Sequence, residues 1–483
     1  MSAEFGFVAY LSLFGVFIAA LAVYASRKPE EASLTFIMAA ILFLPQRAGI
    51  KFPLVPPLNR DSLPYILILV VFLLRRSKWV GQNRLGRGLD ALVLLSMVAA
   101  VITAATNSDP LTYGKYPPFA KLPGLTLKDG FSSAGDDLFF MGIPFVVGRL
   151  LIRDERLATR FLSTFAVGGL IYTFFIAIEL RISPQLHNMV YGYRARYGDF
   201  AQMVRSGGYR PSVFLPHALA LVMFMLNSVL AAVILLRNKQ RILRWSWRWP
   251  AVFLFVMMAA CKGTASLIYA LVAIPLVRYA KPRTQLRVAT FLTIVVVTYP
   301  ALRGADLFPT QKLLAGADAI SHDRKESLLF RFQNEDTLLA RAREREFFGW
   351  GPYDRNEIFE PIYGNQVSIT DGEWIIYFGI RGAVGALLRF LMLVVPVWMA
   401  SRAVKKIPGR EEKAILAGTA TMLAFSTIDL LPNAMFENYP FFMAGALVGM
   451  TRVLAARRPE AELPLQQEWV AGGEAGDPRS ELG

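Results

Sequence analysis

The chain has 483 residues, of which 54% are hydrophobic and 18% charged, with a mean hydropathy of +0.41. Soluble globular domains are about 45–50% apolar, so this composition excludes an ordinary soluble protein. The net charge of +16 would suit a nucleic-acid partner. However, the basic residues fall mostly in short loops between apolar runs, where they set membrane orientation. We therefore expect no nucleic-acid partner.

Thirteen apolar runs follow one another along the chain, and about 20 apolar residues span a bilayer as a helix. The expected fold class is all-α, a polytopic transmembrane helical bundle of about 12 or 13 spans. The stretch AACKGTASL joins two short runs with almost no loop, so a broken or re-entrant segment is an alternative there. The runs lie near 5–25, 33–45, 63–74, 88–105, 132–151, 157–180, 213–236, 249–261, 264–279, 287–303, 373–400, 412–431 and 438–455.

Basic stretches such as RDER and RYAKPRTQLR lie between alternate pairs of runs. Positive loops stay in the cytoplasm, which places the N-terminus outside and the C-terminus inside. The N-terminus lacks the basic region of a signal peptide, so we expect a retained first helix. The predicted units are a transmembrane bundle, a large periplasmic loop, C-terminal transmembrane helices and a disordered cytoplasmic tail, covering 1–303, 304–372, 373–456 and 457–483.

The large outer loop contains HDRKESLLFRFQNEDTLLARAREREFFGWGPYDRN. Its apolar residues recur near the helical period, which predicts an amphipathic helix at the outer membrane surface. Gly349, Gly351 and Pro352 should end that helix. The only cysteine, Cys261, and three widely separated histidines give no metal-binding spacing. We expect neither a metal nor a cofactor.

Four stretches in order resemble the O-antigen ligase and polymerase superfamily of membrane glycosyltransferases. They are GGYRPSVFLPHALA, CKGTASLIYALVAI, LLFRFQNEDTLLARAREREFFGWG and TDGEWIIYFGIRGAVG, within about residues 205–390. The resemblance implies a GT-C-like bundle in the bacterial inner membrane, with its active site on the periplasmic side. It also implies an undecaprenyl-diphosphate-linked glycan as substrate. The expected partners are membrane lipids and a chain-length regulator protein.

By position, Arg210 and Arg331 match the two arginines that would hold the diphosphate in this superfamily. Asp371 stands where the ligases have a histidine as the proposed base, and Gly372 replaces the following asparagine. Glu373 is the second candidate for the catalytic base. The remaining candidates are the diphosphate ligands Arg341 and Lys262, and the sugar or helix-mouth contacts His217, Trp350, Tyr353 and Trp374.

The chemistry of the reaction asks for these residue types. Without a metal, fixed guanidinium groups stabilise the negative charge of a leaving diphosphate, because arginine binds phosphate with two donors and keeps its proton. A carboxylate can take the proton of the acceptor hydroxyl as a general base. One base without a covalent nucleophile predicts a single displacement that inverts the anomeric centre.

Each candidate also has a structural interpretation. Arg210 could anchor a helix end at the lipid headgroups, and Arg331 could pair with Glu335 one helical turn later. Asp371 could cap the following helix, and His217 could bond a neighbouring helix. GIRGAVG suits close helix packing better than a phosphate loop, because no strand precedes it.

The leading function is polymerisation of lipid-linked repeat units of a surface polysaccharide such as O-antigen or exopolysaccharide. The close alternative is a ligase that transfers the glycan to lipid A core or another acceptor. A transporter or flippase of lipid-linked sugars is an alternative of another class, although charge near the membrane midplane is scarce in this sequence.

Overall fold

The computed structural model describes residues 5–52, 55–82, 86, 88–117, 120–195, 203–205, 207–242, 245–319, 321–369, 371–434 and 437–456. This part of the chain is mostly helical, and each of the predicted apolar runs coincides with a helix or with one continuous helical segment. The expected disordered tail, 457–483, lies outside the described residues.

Eighteen α-helices are described, with a π-helical turn, Leu138–Gly142, that joins α6 to α7. They are α1 Phe7–Ala25, α2 Pro29–Phe43, α3 Leu63–Arg75, α4 Ser77–Gln82, α5 Asp90–Ala105, α6 Leu127–Asp137, α7 Ile143–Leu151, α8 Glu155–Ile182, α9 Leu186–Tyr191, α10 Ala218–Arg237, α11 Arg248–Ala260, α12 Thr264–Tyr279, α13 Pro282–Gly304, α14 Thr310–Asp318, α15 His322–Arg343, α16 Glu373–Ala403, α17 Arg410–Ile428 and α18 Tyr439–Ala456.

The strands of the described residues form four small antiparallel hairpins in the loops. They pair β1 Gly49–Phe52 with β2 Val55–Asn59, β3 Leu111–Tyr113 with β4 Ala120–Leu122, β5 Val204–Arg205 with β6 Gly208–Tyr209, and β7 Arg241–Ile242 with β8 Trp245–Ser246.

Six of the described helices are long and apolar enough to cross a membrane: α1, α8, α10, α13, α16 and α18. Four more apolar helices, α3, α5, α11 and α12, are 10–17 residues long, which is shorter than the roughly 20 residues of a straight span. The helical membrane class is therefore confirmed. Helix length alone supports six crossings rather than the expected 12 or 13.

Helix α10 forms the centre of the bundle, because it is apolar on all sides and most of its side chains are buried. It packs against α8, α11, α12 and α17. Asn227 of α10 donates to Ser426 of α17 at 3.0 Å, and Gly418 of α17 lies against Ile234. The two helices are therefore antiparallel, and the first residue of α10 lies at the same end of the bundle as the last residue of α17.

Helices α11 and α12 form a hairpin beside α10. Gly263 in the connecting turn packs against Val222 near the start of α10. At the other end, Arg237 donates to the carbonyls of Val277 and Ala280 at 2.6 and 2.7 Å. Helix α12 therefore runs alongside α10 in the same direction, and the stretch AACKGTASL contains a tight turn between two helices.

Helix α16 folds back on itself, which the sequence did not predict. Residues 373 and 389 are 16 positions apart, about 24 Å along a straight helix, yet Glu373 and Arg389 form an ion pair at 2.8 Å. The backbone reverses at Gly382, with φ 66° and ψ −173°, a conformation that only glycine adopts without strain. The expected single run from 373 to 400 is instead a short arm, 373–381, and a long arm, 383–403.

The Gly-Trp-Gly turn belongs to the long segment between α13 and α16, which keeps the name outer loop from its predicted side, and it is bonded to this reversal. The amides of Trp350 and Gly351 donate to the carbonyls of Gly379 and Ile380 at 2.8 and 2.9 Å. A Cβ on Gly349 would lie 2.5 Å from the Gly382 nitrogen. GIRGAVG predicts close packing between helices, but its close partner is a turn of the outer loop, and its Gly382 lies at the reversal.

Helix α15 of the outer loop has one buried stripe, as the periodicity predicted. Phe332, Leu338, Leu339 and Ala342 are buried, while the opposite face is exposed. Arg355, which sequence reasoning did not single out, is completely buried behind this helix. Its guanidinium donates to the carbonyls of Trp350, Pro123 and Asp109 at 3.2, 2.7 and 2.9 Å, which fixes the outer loop to an earlier loop.

Candidate functional site

Arg331 lies on the partly exposed side of α15, where it meets two other segments. Its Nη1 donates to the Pro432 carbonyl at 3.1 Å, and its Nε lies 3.5 Å from the Asp371 carboxylate. Both side chains are a little over a third exposed. The predicted pairing of Arg331 with Glu335 is wrong, because Glu335 is bound elsewhere.

Glu335, one helical turn after Arg331, belongs to a buried cluster between α15 and its neighbours. Its carboxylate accepts from the Tyr299 hydroxyl at 2.9 Å, from Trp374 Nε1 at 3.2 Å and from Arg303 at 3.3 Å. Burial raises the pKa of Glu335 above its usual value, despite these donors. Trp374 is 1% exposed, so it packs in this cluster instead of offering its ring to a sugar.

Asp371 stands just before the short arm of α16. The N-cap of that helix is Gly372, and no side chain caps it. The capping interpretation of Asp371 is therefore wrong, because its carboxylate faces Arg331 instead. Glu373 has different surroundings: its amide donates to the Asn433 carbonyl at 3.2 Å, and its buried carboxylate pairs with Arg389.

Asp429 and Asn433 lie next to Arg331, just after the end of α17. Asn433 Nδ2 donates to the Asp429 carboxylate at 2.8 Å, and the Tyr269 hydroxyl of α12 also bonds it. Burial raises the pKa of Asp429 to about 6, and the nearby Arg331 charge opposes that rise. Sequence reasoning noted Asp429 only as a charge near the end of a run, since its partners come from distant segments.

Arg210 follows the β5–β6 hairpin and is buried among protein groups, at 8% exposure. Its amide donates to the Met203 carbonyl at 2.8 Å. The next residues are fixed by Glu179, whose carboxylate accepts from the amides of Ser212 and Val213 at 2.9 and 2.7 Å. This burial contradicts the interpretation of Arg210 as an anchor in the lipid headgroups.

The turn between α11 and α12 lies close to Arg210. Arg210 is close enough for its charge to act on the Cys261 thiol. The Lys262 side chain reaches the hairpin before Arg210, because its Nζ lies 2.4 Å from the position that a Cβ on Gly208 would take. His217 begins α10 as its N-cap, and its Nδ1 accepts from the Leu219 amide at 3.1 Å. His217 therefore caps its own helix.

Arg210 and Arg331 lie at the same end of the bundle. Arg210 precedes the first residue of α10, and Arg331 contacts Pro432, which follows the last residue of α17. A second connection runs through α12, because Lys262 lies beside the Arg210 segment and Tyr269 bonds Asp429 next to Arg331. Tyr269 is seven residues after Lys262, mostly along the first turns of α12, which places the two positions within about 10 Å of each other along the helix axis.

The remaining sequence candidates lie around the Gly-Trp-Gly turn and make structural contacts. Arg341 donates to Glu344 and to the Tyr113 hydroxyl, each at 2.6 Å, and stacks 3.3 Å above the buried Trp350 ring. These contacts occupy Arg341 within the loop, away from Arg331. Tyr353 is 52% exposed and donates to Asp129 at 2.9 Å, so among the three candidate aromatics it alone presents an exposed ring.

The fold and the site together define a helical membrane protein with an arginine and carboxylate cluster at one end of its bundle. No family model matches the chain. No curated protein matches it either.

Proposed function

We propose that this protein is a membrane glycosyltransferase that acts on a polyprenyl-diphosphate-linked glycan. The observation that carries the proposal is the contact between Arg331 and Asp371, at the end of the bundle where Arg210 and Lys262 also lie. A transferase of this kind needs cations for its leaving group and one carboxylate beside them. This end of the bundle provides both within a few helical turns.

The partly exposed Arg331–Asp371 pair suits a substrate-triggered site. An exposed ion pair of this length contributes only about 0–1 kcal/mol to stability, whereas a diphosphate offers arginine a bidentate partner of higher charge. Binding of the donor would therefore transfer Arg331 from Asp371 to the diphosphate. Asp371 would then be released next to the reacting centre as a carboxylate without its cation.

The reaction needs one displacement. The acceptor hydroxyl oxygen forms a bond to the anomeric carbon of the donor sugar, and the bond from that carbon to the diphosphate oxygen breaks. The electron pair leaves with the polyprenyl diphosphate, where Arg331 and Arg210 stabilise it, and the proton goes to Asp371. Because no covalent enzyme intermediate forms, the anomeric configuration inverts.

Polymerisation of repeat units is the function that we favour. It rests on Asp371, which stands where the ligases that the sequence resembles have a histidine. The ligase alternative uses the same donor chemistry and differs in the acceptor. A deletion strain separates the two, because loss of a polymerase leaves single repeat units on the carrier lipid and loss of a ligase leaves long polymer there.

Two substitutions test the site directly in cells of the deletion strain. Arg331→Ala and Asp371→Asn should each abolish polysaccharide while the protein remains in the membrane at a normal level. Arg331→Lys should also be poor, because a point charge does not replace a bidentate fork. The matched control is Lys325→Ala on the same helix, where Lys325 pairs with Asp318 away from the site. Normal polysaccharide from both site variants would exclude the proposed chemistry.

A further inference from the structure

A cavity of about 390 Å³, lined by both apolar and charged side chains, opens on the side of the short arm of α16 that faces α6. Its walls come from four segments: the β2 strand and the start of α3, the α6–π-helix junction, Pro352 of the outer loop, and α16 itself. This volume lies in the range of small-molecule sites, about 300–1,000 Å³. The cavity is therefore large enough for a sugar ring.

The charged side chains of the cavity wall are four carboxylates and two arginines. Glu373 pairs with Arg389 at 2.8 Å, and Asp137 lies 3.9 Å from Arg381. A third carboxylate, Asp61, pairs with Arg60 at 3.2 Å. One further carboxylate, that of Asp136, also lines the cavity. The remaining charge is thus negative, which disfavours an anion such as a phosphate and favours a neutral polar ligand.

Arg381 carries hydrogen-bond donors that the described residues do not satisfy. It is 6% exposed, and its Nε and Nη1 atoms have no hydrogen-bond partner among those residues. The contact from its Nη2 to the Ser133 carbonyl is long, at 3.4 Å. Leaving buried donors unpaired is unfavourable, so a ligand with acceptor oxygens would be stabilised by bonding them.

The cavity therefore combines unsatisfied donors at Arg381 with an acceptor at Asp136. Sugar hydroxyls donate and accept at once, and they match such a pair. Aromatic side chains supply the apolar part of the wall: Phe139, Phe140 and Tyr377 all line it. Phe139 and Phe140 lie in the π-helical turn, an irregularity that occurs often at functional sites.

The position of the cavity indicates which sugar it would hold. Within the short arm of α16, Glu373, Tyr377 and Arg381 face the cavity. Trp374 lies on a different face of the arm, outside the cavity, where it bonds Glu335 of α15. Arg331 also belongs to α15. The diphosphate cluster and the cavity thus flank the same helix, whose first residues follow Asp371.

We propose that this cavity binds a neutral sugar of the acceptor glycan, and that Asp136 and Arg381 hold its hydroxyl groups. The proposal rests on the glycosyltransferase function proposed above. It adds an acceptor subsite that is separate from the donor diphosphate and adjoins a different face of the short arm of α16. A base placed between the two, at Asp371, would be within reach of the acceptor hydroxyl.

The single cysteine of the chain allows a direct test with purified protein. In a Cys261→Ser background, Ile376→Cys places a thiol on the cavity wall, at a half-buried position that is not one of the charged groups. The probe is the oligosaccharide repeat released from the producing cell's own surface polysaccharide. At roughly ten times its Kd, this oligosaccharide should slow maleimide labelling of the thiol about tenfold. Inorganic pyrophosphate should not slow it.

Two variants control this experiment. Leu127→Cys, on the exposed first turn of α6 and outside the cavity, should label at the same rate with and without the oligosaccharide. Adding Asp136→Asn to the Ile376→Cys protein should weaken the protection, and the fold should be retained because Asp136 is exposed. Protection by pyrophosphate instead of sugar, or no protection by either, would overturn the proposal.

This test is separate from that of the proposed function, because labelling requires no catalysis. If the oligosaccharide protects Ile376→Cys and the Asp371→Asn protein is fully active, the sugar site is supported and Asp371 is not the base. If the Arg331 and Asp371 variants are inactive but the oligosaccharide does not protect Ile376→Cys, the transferase function is supported and this acceptor subsite is excluded.

Discussion

Arg303 and Arg331 show how differently two arginines of the same region are used. Arg303 is buried with Glu335, Tyr299 and Trp374 around it, whereas Arg331 is partly exposed beside Asp371. Sequence reasoning identified Arg331 from its spacing to the Gly-Trp-Gly turn. It missed the partners of both arginines, because Asp371 is 40 residues and Glu335 is 32 residues away along the chain. Local periodicity carries no signal for such contacts.

The burial of Arg303 predicts a large effect on stability. Arg303→Gln should lower the free energy of unfolding by about 3–5 kcal/mol, because it leaves the Glu335 carboxylate buried without its cation. Thermal unfolding of the purified protein in detergent measures this. Lys325→Gln, which breaks the exposed pair with Asp318, should cost no more than about 1 kcal/mol. Equal losses for the two variants would contradict the difference in burial.

The pH dependence of stability should report Asp429. Its pKa of about 6 in the folded protein lies above the ordinary value of 3.8, so folding favours its protonated form. Its contribution to stability is therefore complete below about pH 4 and is lost as the pH rises through 6. Unfolding midpoints of wild type and Asp429→Asn, measured from pH 4 to 7, should diverge over this window, with wild type falling relative to the variant. Parallel curves would contradict the raised pKa.

At the scale of elements, hydropathy and charge located the helices well. Runs such as 249–261 and 264–279 match α11 and α12 within a few residues, because membrane helices are defined by continuous apolar length. The reversal inside α16 was missed for the same reason. Its two arms are both apolar, so one run covers them, and GIRGAVG predicts close helix packing rather than a reversal of the backbone.

The reversal makes Gly382 a sensitive position. Gly382→Ala should unfold the outer loop from α16, because an alanine there is strained by about 1–3 kcal/mol and its Cβ would lie 2.3 Å from the Phe347 backbone. Limited proteolysis and thermal unfolding should both show the loss. Gly15→Ala, in an exposed helix with open space around the new methyl group, should leave stability unchanged or raise it slightly. An equally stable Gly382→Ala protein would exclude the fold-back.

At the scale of the whole molecule, the basic loops predict the orientation of the bundle in the membrane. In a Cys261→Ser background, Leu307→Cys in the outer loop should react with a membrane-impermeant maleimide on spheroplasts. Lys405→Cys, in a basic loop, should react only after the membrane is opened. Both positions are exposed on the protein surface, so a difference in labelling reports the side of the membrane and not burial within the protein. The reverse pattern would place the arginine cluster in the cytoplasm.

The central claim is that Arg210 and Arg331 hold one diphosphate, and a double-mutant cycle tests it most directly. The affinity of the purified protein for farnesyl diphosphate is measured for wild type, Arg210→Gln, Arg331→Gln and the double variant. The account predicts that each single variant weakens binding. It also predicts that the double loss departs from the sum of the single losses by about 0.5–3 kcal/mol, as expected for residues sharing one partner. Strictly additive losses, or affinities equal to that of wild type, would contradict it.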